Sequence, residues 1–234
     1  MTLRKLGLAI LFGLGMITGL VVAVVIYFLG KRSRVRAFHP YGTLCRATVE
    51  SDELGLAGPA LVRLAGAAGE EDSATHTVIG FAIKLAGAQD LPLASFESFL
   101  QVKTATANTD ITDYLANTFA SVTPWKVPGD GIVWFRAHRV LPAGTTGSTK
   151  PTRSERLRDD IASGRAKVEL SIHARPNADG PRIRKLATIT LTEIIPADPT
   201  FRISMFHTGR HLVPTGFRNG IRAVVYPSGQ RGRG

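Results

Sequence analysis

The strongest constraint on this chain lies near its start: from Leu6 to Gly30 (LGLAILFGLGMITGLVVAVVIYFLG) no charged side chain occurs. A helix rises ~1.5 Å per residue, so about 20 apolar residues cross the hydrocarbon core of a bilayer. The run is apolar on every face, which argues against an amphipathic helix lying on a membrane surface. A cleaved signal peptide has an apolar region of roughly 7–15 residues that ends at a small-x-small site. Here the run is longer and stops at Tyr27, Phe28 and Lys31, as a retained anchor does. Gly15 and Gly19 form a small-xxx-small pair of the kind that packs helices, although glycine is common in membrane helices generally.

Arg4 and Lys5 precede the run, while Lys31, Arg32, Arg34 and Arg36 follow it. The positive-inside rule therefore favours a cytoplasmic side for what comes after. The expected organisation is a tail over 1–5, a transmembrane helix over 6–30, one globular domain over 31–228 and a flexible tail over 229–234 (the stretch PSGQRGRG after Tyr226 reads as loose). About 200 residues suit one domain with a sizeable core.

Cys45 is the only cysteine, which excludes an internal disulfide framework and a cysteine-rich metal site. The net charge of +11 fits nucleic acid, anionic lipid or an anionic cofactor. Basic residues are scattered among strand-like segments, and no recognition-helix or RNA-binding signature accompanies them. Lipid or an anionic cofactor is the better reading, and no nucleic-acid partner is expected.

Beyond the anchor, short strands dominate. Residues 43–49, 60–64 and 78–85 are apolar or alternating, and Phe96, Phe99 and Val102 mark another candidate. Segments 167–174 (KVELSIHA) and 186–195 (LATITLTEII) have a period of two and many β-branched residues. Two helices are predicted. One is 110–122, with an Asp cap and Ile111, Leu115 and Phe119 at i, i+4, i+8; the other is 154–163, with a Ser cap and Gly164 as its stop. No βαβ alternation occurs. The fold class is therefore α+β, mainly an antiparallel β-sheet or barrel with accessory helices, preceded by one transmembrane helix.

Hydrolase, Walker, zinc-protease and Rossmann signatures are missing. His207 and His211 are spaced i, i+4, but Gly209 lies between them and no carboxylate is near, so a metal pair is not expected. His76, His138 and His173 stand alone, and surface or hydrogen-bonded core roles are the default for them.

Two segments are more informative together: Arg36-Ala-Phe-His39-Pro-Tyr-Gly42, leading into TLCRATVE, and Arg222-Ala-Val-Val-Tyr226-Pro227. Here the sequence resembles the haem catalase superfamily. That family has a distal histidine in R-x-x-H-x-x-G at the head of its first barrel strand and an iron-ligating tyrosine in R-x-x-x-Y-P. Ala60-Leu-Val-Arg63-Leu-Ala-Gly resembles its A-x-V-R-F-S strand, and Gly80-Phe-Ala-Ile-Lys84 its R-G-F-A-x-K strand, with Ile79 in place of the arginine. Residues 153–195 resemble the wall of short, single-domain members, so the resemblance spans roughly 34–228.

The resemblance implies a catalase-like barrel that binds haem b. Tyr226 would be the iron ligand, Arg222 its cationic support and His39 the distal acid–base. Arg36 would act beside His39, and Arg36 and Arg63 would meet the propionates; Phe38 and Phe81 would line the pocket. An iron-bound tyrosine is a phenolate, whereas free tyrosine keeps its proton up to a pKa of about 10. Metal bonding and a neighbouring cation both favour the anion. His39 would take a proton from peroxide and return it to the departing oxygen.

Departures bear on activity. The family's distal asparagine motif, N-N-T-P-x-F-F, corresponds to Leu93-Ala-Ser-Phe-Glu-Ser-Phe99, where Ser95 or Ser98 would have to substitute. The motif N-P-W-H is replaced by Met205-Phe-His-Thr. The expected function is a membrane-anchored, catalase-like haem protein acting on hydrogen peroxide or organic peroxides, as catalase, peroxidase or peroxygenase. The alternative is a non-enzymatic barrel that binds haem, lipid or a membrane-complex partner as an accessory subunit. Expected partners are the bilayer, through residues 6–30, a peroxide, and a membrane complex or second copy.

Overall fold

The computed structural model of the chain describes all residues except 1–2, 34–38, 40, 54, 68–71, 86, 88, 177–179, 199–200, 207–210 and 232–234. Its centre is one antiparallel sheet that closes on itself. The strands are β1 (Thr43–Glu50), β2 (Gly58–Gly66), β3 (Ile79–Leu85), β4 (Leu91–Ala94), β5 (Phe119–Ala120), β6 (Trp125–Val127), β7 (Gly131–Arg139), β8 (Lys167–His173), β9 (Arg182–Ile195) and β10 (Val213–Pro214). Their order is β10-β6-β7-β5-β4-β3-β2-β1-β9-β8, and β8 pairs back onto β7 from Trp134↔His173 to Arg139↔Val168. Eight strands thus form a closed barrel, and β6 and β10 extend it from β7.

Alternation along the strands decides what lies inside. In β3, Ile79, Phe81, Ile83 and Leu85 are buried while Gly80, Ala82 and Lys84 face outward. Val62 and Leu64 of β2, Phe135 of β7, Leu170 of β8 and Ile189 of β9 join the same core. An eight-stranded barrel is just wide enough for side chains to fill it. Because this one is filled with apolar groups, any ligand site must lie on the outer wall.

The strands expected over 43–49, 60–64, 78–85, 167–174 and 186–195 are present as β1, β2, β3, β8 and β9. The helix predicted over 110–122 is absent. In its place stand a short 3-10 turn (Tyr114–Ala116) and β5. The cause is side-chain competition for the backbone. Asp110 Oδ1 accepts from the backbone N–H of Thr112 at 2.8 Å, and Asn117 Nδ2 donates to the carbonyls of Asp110 and Asp113 at 2.8 and 2.9 Å. The strand expected around Phe96, Phe99 and Val102 is instead a helical stretch, ending in helix α2 (Val102–Asn108). The second predicted helix exists as α3 (Arg153–Ala162), but its cap is Thr152, in a reciprocal capping box with Glu155, rather than Ser154. Gly164 follows its end with φ +69°, the left-handed conformation a helix stop requires.

Two further helices frame the molecule. Helix α1 (Leu3–Ser33) contains a segment, Leu6–Phe28, long and apolar enough to cross a membrane, with mean hydropathy 2.7. Helix α4 (Gly216–Arg231) continues through Tyr226, Pro227 and Gly229, so 228–231 are helical rather than loose. Gln230 Nε2 ties its end to the carbonyl of Ile203 at 3.0 Å. The two helices lie side by side. Gly15 abuts the backbone of Phe217, Gly19 that of Ile221, and Gly220 that of Phe12 and Met16. A Cβ at any of these three glycines would meet backbone. The anchor and the domain, expected as separate parts, are packed together.

Candidate functional site

The outer wall around β2 and β3 gathers residues from both ends of the chain. His39 precedes β1 and has φ +53°, a conformation uncommon outside glycine and one that clusters at functional sites. Its ring is held by main chain. Nδ1 lies 3.0 Å from the carbonyl oxygen of Ala65, which can only accept, so Nδ1 carries the hydrogen and Nε2 the lone pair in the neutral ring. The ring lies flat against Gly80, where a Cβ would stand 2.9 Å from Cε1. Arg63, on the outward face of β2, donates from Nη2 to the backbone carbonyl of His39 at 2.9 Å. Burial lowers the pKa of His39, the Ala65 carbonyl opposes this, and the charges of Arg63 and Arg222 lower it further.

Tyr226 comes to the same wall from α4. It packs against Leu44, Phe201 and Ile203, alongside Leu61, Ala82 and Ile195. One turn earlier, Arg222 donates to Tyr226 Oη from both Nε (3.0 Å) and Nη2 (2.9 Å). Its remaining nitrogen, Nη1, donates to Thr123 Oγ1 at 3.0 Å, and that hydroxyl donates to Asn219 Oδ1 at 2.8 Å. Asn219 in turn donates from Nδ2 to the Pro124 carbonyl at 2.8 Å. Two N–H bonds from one guanidinium fix the position of the phenol oxygen. A tyrosine oxygen fixed in this way fits a metal ligand, and a histidine whose Nε2 carries the lone pair fits a proton acceptor.

Among the residues expected at a site, the structure brings His39, Arg63, Arg222 and Tyr226 together. Arg36 and Phe38 lie outside the described residues. Phe81 does not join the others. It points to the opposite face of β3 from Gly80, is fully buried in the barrel core, and stacks on Phe119 at 5.0 Å between ring centres. Its neighbour in sequence touches the histidine because successive strand residues face opposite sides. Ser95 and Ser98 have structural bonds. Ser95 Oγ accepts from the Ile79 N–H and lies 2.9 Å from Thr109 Oγ1, and Ser98 Oγ accepts from the Leu100 N–H at 3.3 Å. Thr123 and Asn219, which brace Arg222, carried no signal in the sequence; Thr123 stands far from Arg222 along the chain, in the loop before β6.

Two of the other isolated histidines have local roles. His173 is buried between Ser171 Oγ (2.9 Å) and the Gly180 carbonyl (3.1 Å), and His138 faces Glu169 at 3.9 Å.

No protein-family profile matches the chain, and no curated protein matches it in sequence. Solved structures do match. A fungal catalase aligns at 15% identity and TM-score 0.59, over 85% of this chain and 59% of its own. Catalase A from Saccharomyces cerevisiae aligns at 13% identity and TM-score 0.61, over 85% and 61%. A bacterial catalase aligns at 13% identity and TM-score 0.61, over 85% and 57%. The chain spans less than two thirds of the length of these catalases. At this identity the likeness is one of architecture: the chain has a catalase-like fold, a closed antiparallel barrel preceded by an apolar helix.

Proposed function

We propose that this chain is a catalase-like haem protein that acts on hydrogen peroxide or organic peroxides and is held at a membrane by α1. The observation that carries the reading is the fork of Arg222 on Tyr226 Oη, a device for holding an oxygen anion toward a metal. Tyr226 would be the iron ligand, with Arg222 fixing its oxygen and Thr123 fixing Arg222. Bound haem would supply the redox chemistry on peroxide, with the tyrosinate donating electron density to the iron. His39 takes the peroxide proton at Nε2 and returns it to the departing oxygen. The Ala65 carbonyl keeps the required tautomer in place, and burial first, then the charges of Arg63 and Arg222, favours the neutral ring. Arg63 lies beside the histidine, where a haem propionate would find a cation.

The test is an absorption spectrum of the purified protein with and without added haem. A Soret band that disappears in Tyr226→Phe supports the ligand assignment, and no band under either condition refutes it. His39→Ala should retain the band and lose peroxide consumption.

A second reading, a haem- or lipid-binding barrel without turnover, is favoured by one observation. Both serines of the segment that replaces the family's asparagine are engaged in holding local structure. A Soret band with no peroxide consumption would select this reading.

A further inference from the structure

We infer that α1 meets the membrane along one side only, lying lengthwise in the lipid interface with the barrel above it, rather than passing through the bilayer as a free span. This rests on the membrane part of the proposed function and not on its haem part.

The first argument is the covered side of α1. Gly15 and Gly19 lie against the backbones of Phe217 and Ile221, and Gly220 lies against Phe12 and Met16. The helices run in the same direction, since Leu8 approaches Gly216 and Gly19 approaches Ile221. Next to Phe217 is Arg218, exposed, at the level of Gly15 and so near the middle of the apolar run. A bilayer surrounding α1 would carry that arginine to its centre, where a charged side chain is costly. Leu8 and Leu11 also line an open apolar groove of about 400 Å³ with Pro124, Ile132 and Trp134 of the barrel. The barrel thus stands beside the first half of the helix, where a span would need lipid.

The second argument is the uncovered side. Ile10, Leu14, Ile17, Val21, Val24 and Phe28 are 49–73% exposed, far more contiguous apolar surface than a soluble monomer shows. Cations flank the ridge: Lys31 and Arg32 close α1 and Arg231 closes α4, all exposed, and Arg4 and Lys5 stand at the other end of the run. An apolar ridge flanked by cations is complementary to acyl chains and anionic headgroups. Gly15 and Gly19 are turned toward α4, while Ala9, Gly13 and Thr18 remain on the open side, so a second copy of the chain is the rival occupant that the test separates from lipid. The all-round apolar sequence pattern implied lipid on every side; α4 removes one of them.

The test uses the full chain, with a protease-cleavable tag ahead of Met1, and sealed phosphatidylcholine–phosphatidylglycerol vesicles. The inference expects flotation with the vesicles and at least a tenfold loss of it in I17E/V21E, a variant confined to the exposed side and checked for an unchanged melting temperature. It also expects cleavage of the tag and digestion of the barrel by protease added outside. A tag protected while the barrel is digested shows a spanning helix and overturns the inference. So does a lipid-free dimer that the same variant makes monomeric. Absence of flotation overturns the membrane reading itself. A missing Soret band would count against the haem reading alone, and these arms do not depend on it.

Discussion

Arg222 holds Tyr226 by two converging bonds, Nε at 3.0 Å and Nη2 at 2.9 Å to one phenol oxygen, and is itself held by Thr123. A lysine has the charge but not the fork. Arg222→Lys should therefore weaken haem affinity by about 10–100-fold, the usual effect of removing a partner that orients a metal ligand. Arg222→Met should weaken it further. Haem titration followed at the Soret band reads both, and an unchanged affinity in Arg222→Met would show that the fork serves the fold only.

His39 should give the protein a stability that depends on pH. Burial, then the charges of Arg63 and Arg222, lower its pKa, while the unfolded chain has a histidine pKa of about 6.5. Below that value the unfolded state binds more protons than the folded one, so stability falls as pH drops from about 6.5 toward the lowered value and is level above it. His173 is shifted the same way, again by burial first. Chemical denaturation at pH 7.5 and 5 should show the loss in the native protein and a smaller one in His39→Gln. The same loss in both proteins would show that His39 does not contribute.

Gly80 gives His39 its place, since a Cβ there would stand 2.9 Å from Cε1. Gly80→Ala should displace the ring, cutting peroxide consumption by more than tenfold while the melting temperature changes little. Normal turnover in that variant would show that the ring has room to shift without consequence.

Gly220→Ala places a methyl group against the main chain of α1 at Phe12. Overpacking of this kind costs about 1–3 kcal/mol. A lowered melting temperature is expected, with a weaker Soret band because α4 carries Tyr226. Gly58→Ala is not an equivalent control, since Gly58 has φ +130°; Ala9→Leu, on the exposed side of α1, should be silent.

Asp160 should matter for folding rather than chemistry. Its fully buried carboxylate accepts from Arg139 Nη2 at 2.7 Å, Arg165 Nε at 3.0 Å and the Ser148 N–H at 3.0 Å. Removing one member of a buried ionic group costs about 3–5 kcal/mol. Asp160→Ala should lower stability on that scale, read by urea denaturation, while any folded fraction keeps its spectrum.

The alternating strands were legible because a period of two marks a wall with one buried side, and β1, β8 and β9 stand where that pattern put them; β2 and β3 were legible as short apolar runs. Strand β7 was missed, although it is nine residues long and buries Val133, Phe135 and Ala137 at every second position, because it follows a turn-rich stretch. The 110–122 segment misled because its apolar spacing is helical, while Asp110, Asp113 and Asn117 bind their own backbone more strongly than a helix would. Helix α4 and its extension past Pro227 were hidden by Gly220, Pro227 and Gly229, residues that disfavour a helix until packing against α1 and Ile203 stabilises one.

The sequence by itself determined that an uncharged apolar helix precedes a strand-rich domain, and that a histidine near position 39 and a tyrosine at 226 sit in a family's order. Periodicity and charge suffice for the first, because both act within a few residues; the second rests on the motif resemblance alone. Only the tertiary structure decided that His39, Arg63, Arg222 and Tyr226 share the outer wall of the barrel, and that Phe81, next to Gly80, does not. It also decided that Gly15 and Gly19 serve a contact with α4. Such pairings join residues far apart in the chain, and they depend on which face of a closed barrel each strand turns outward.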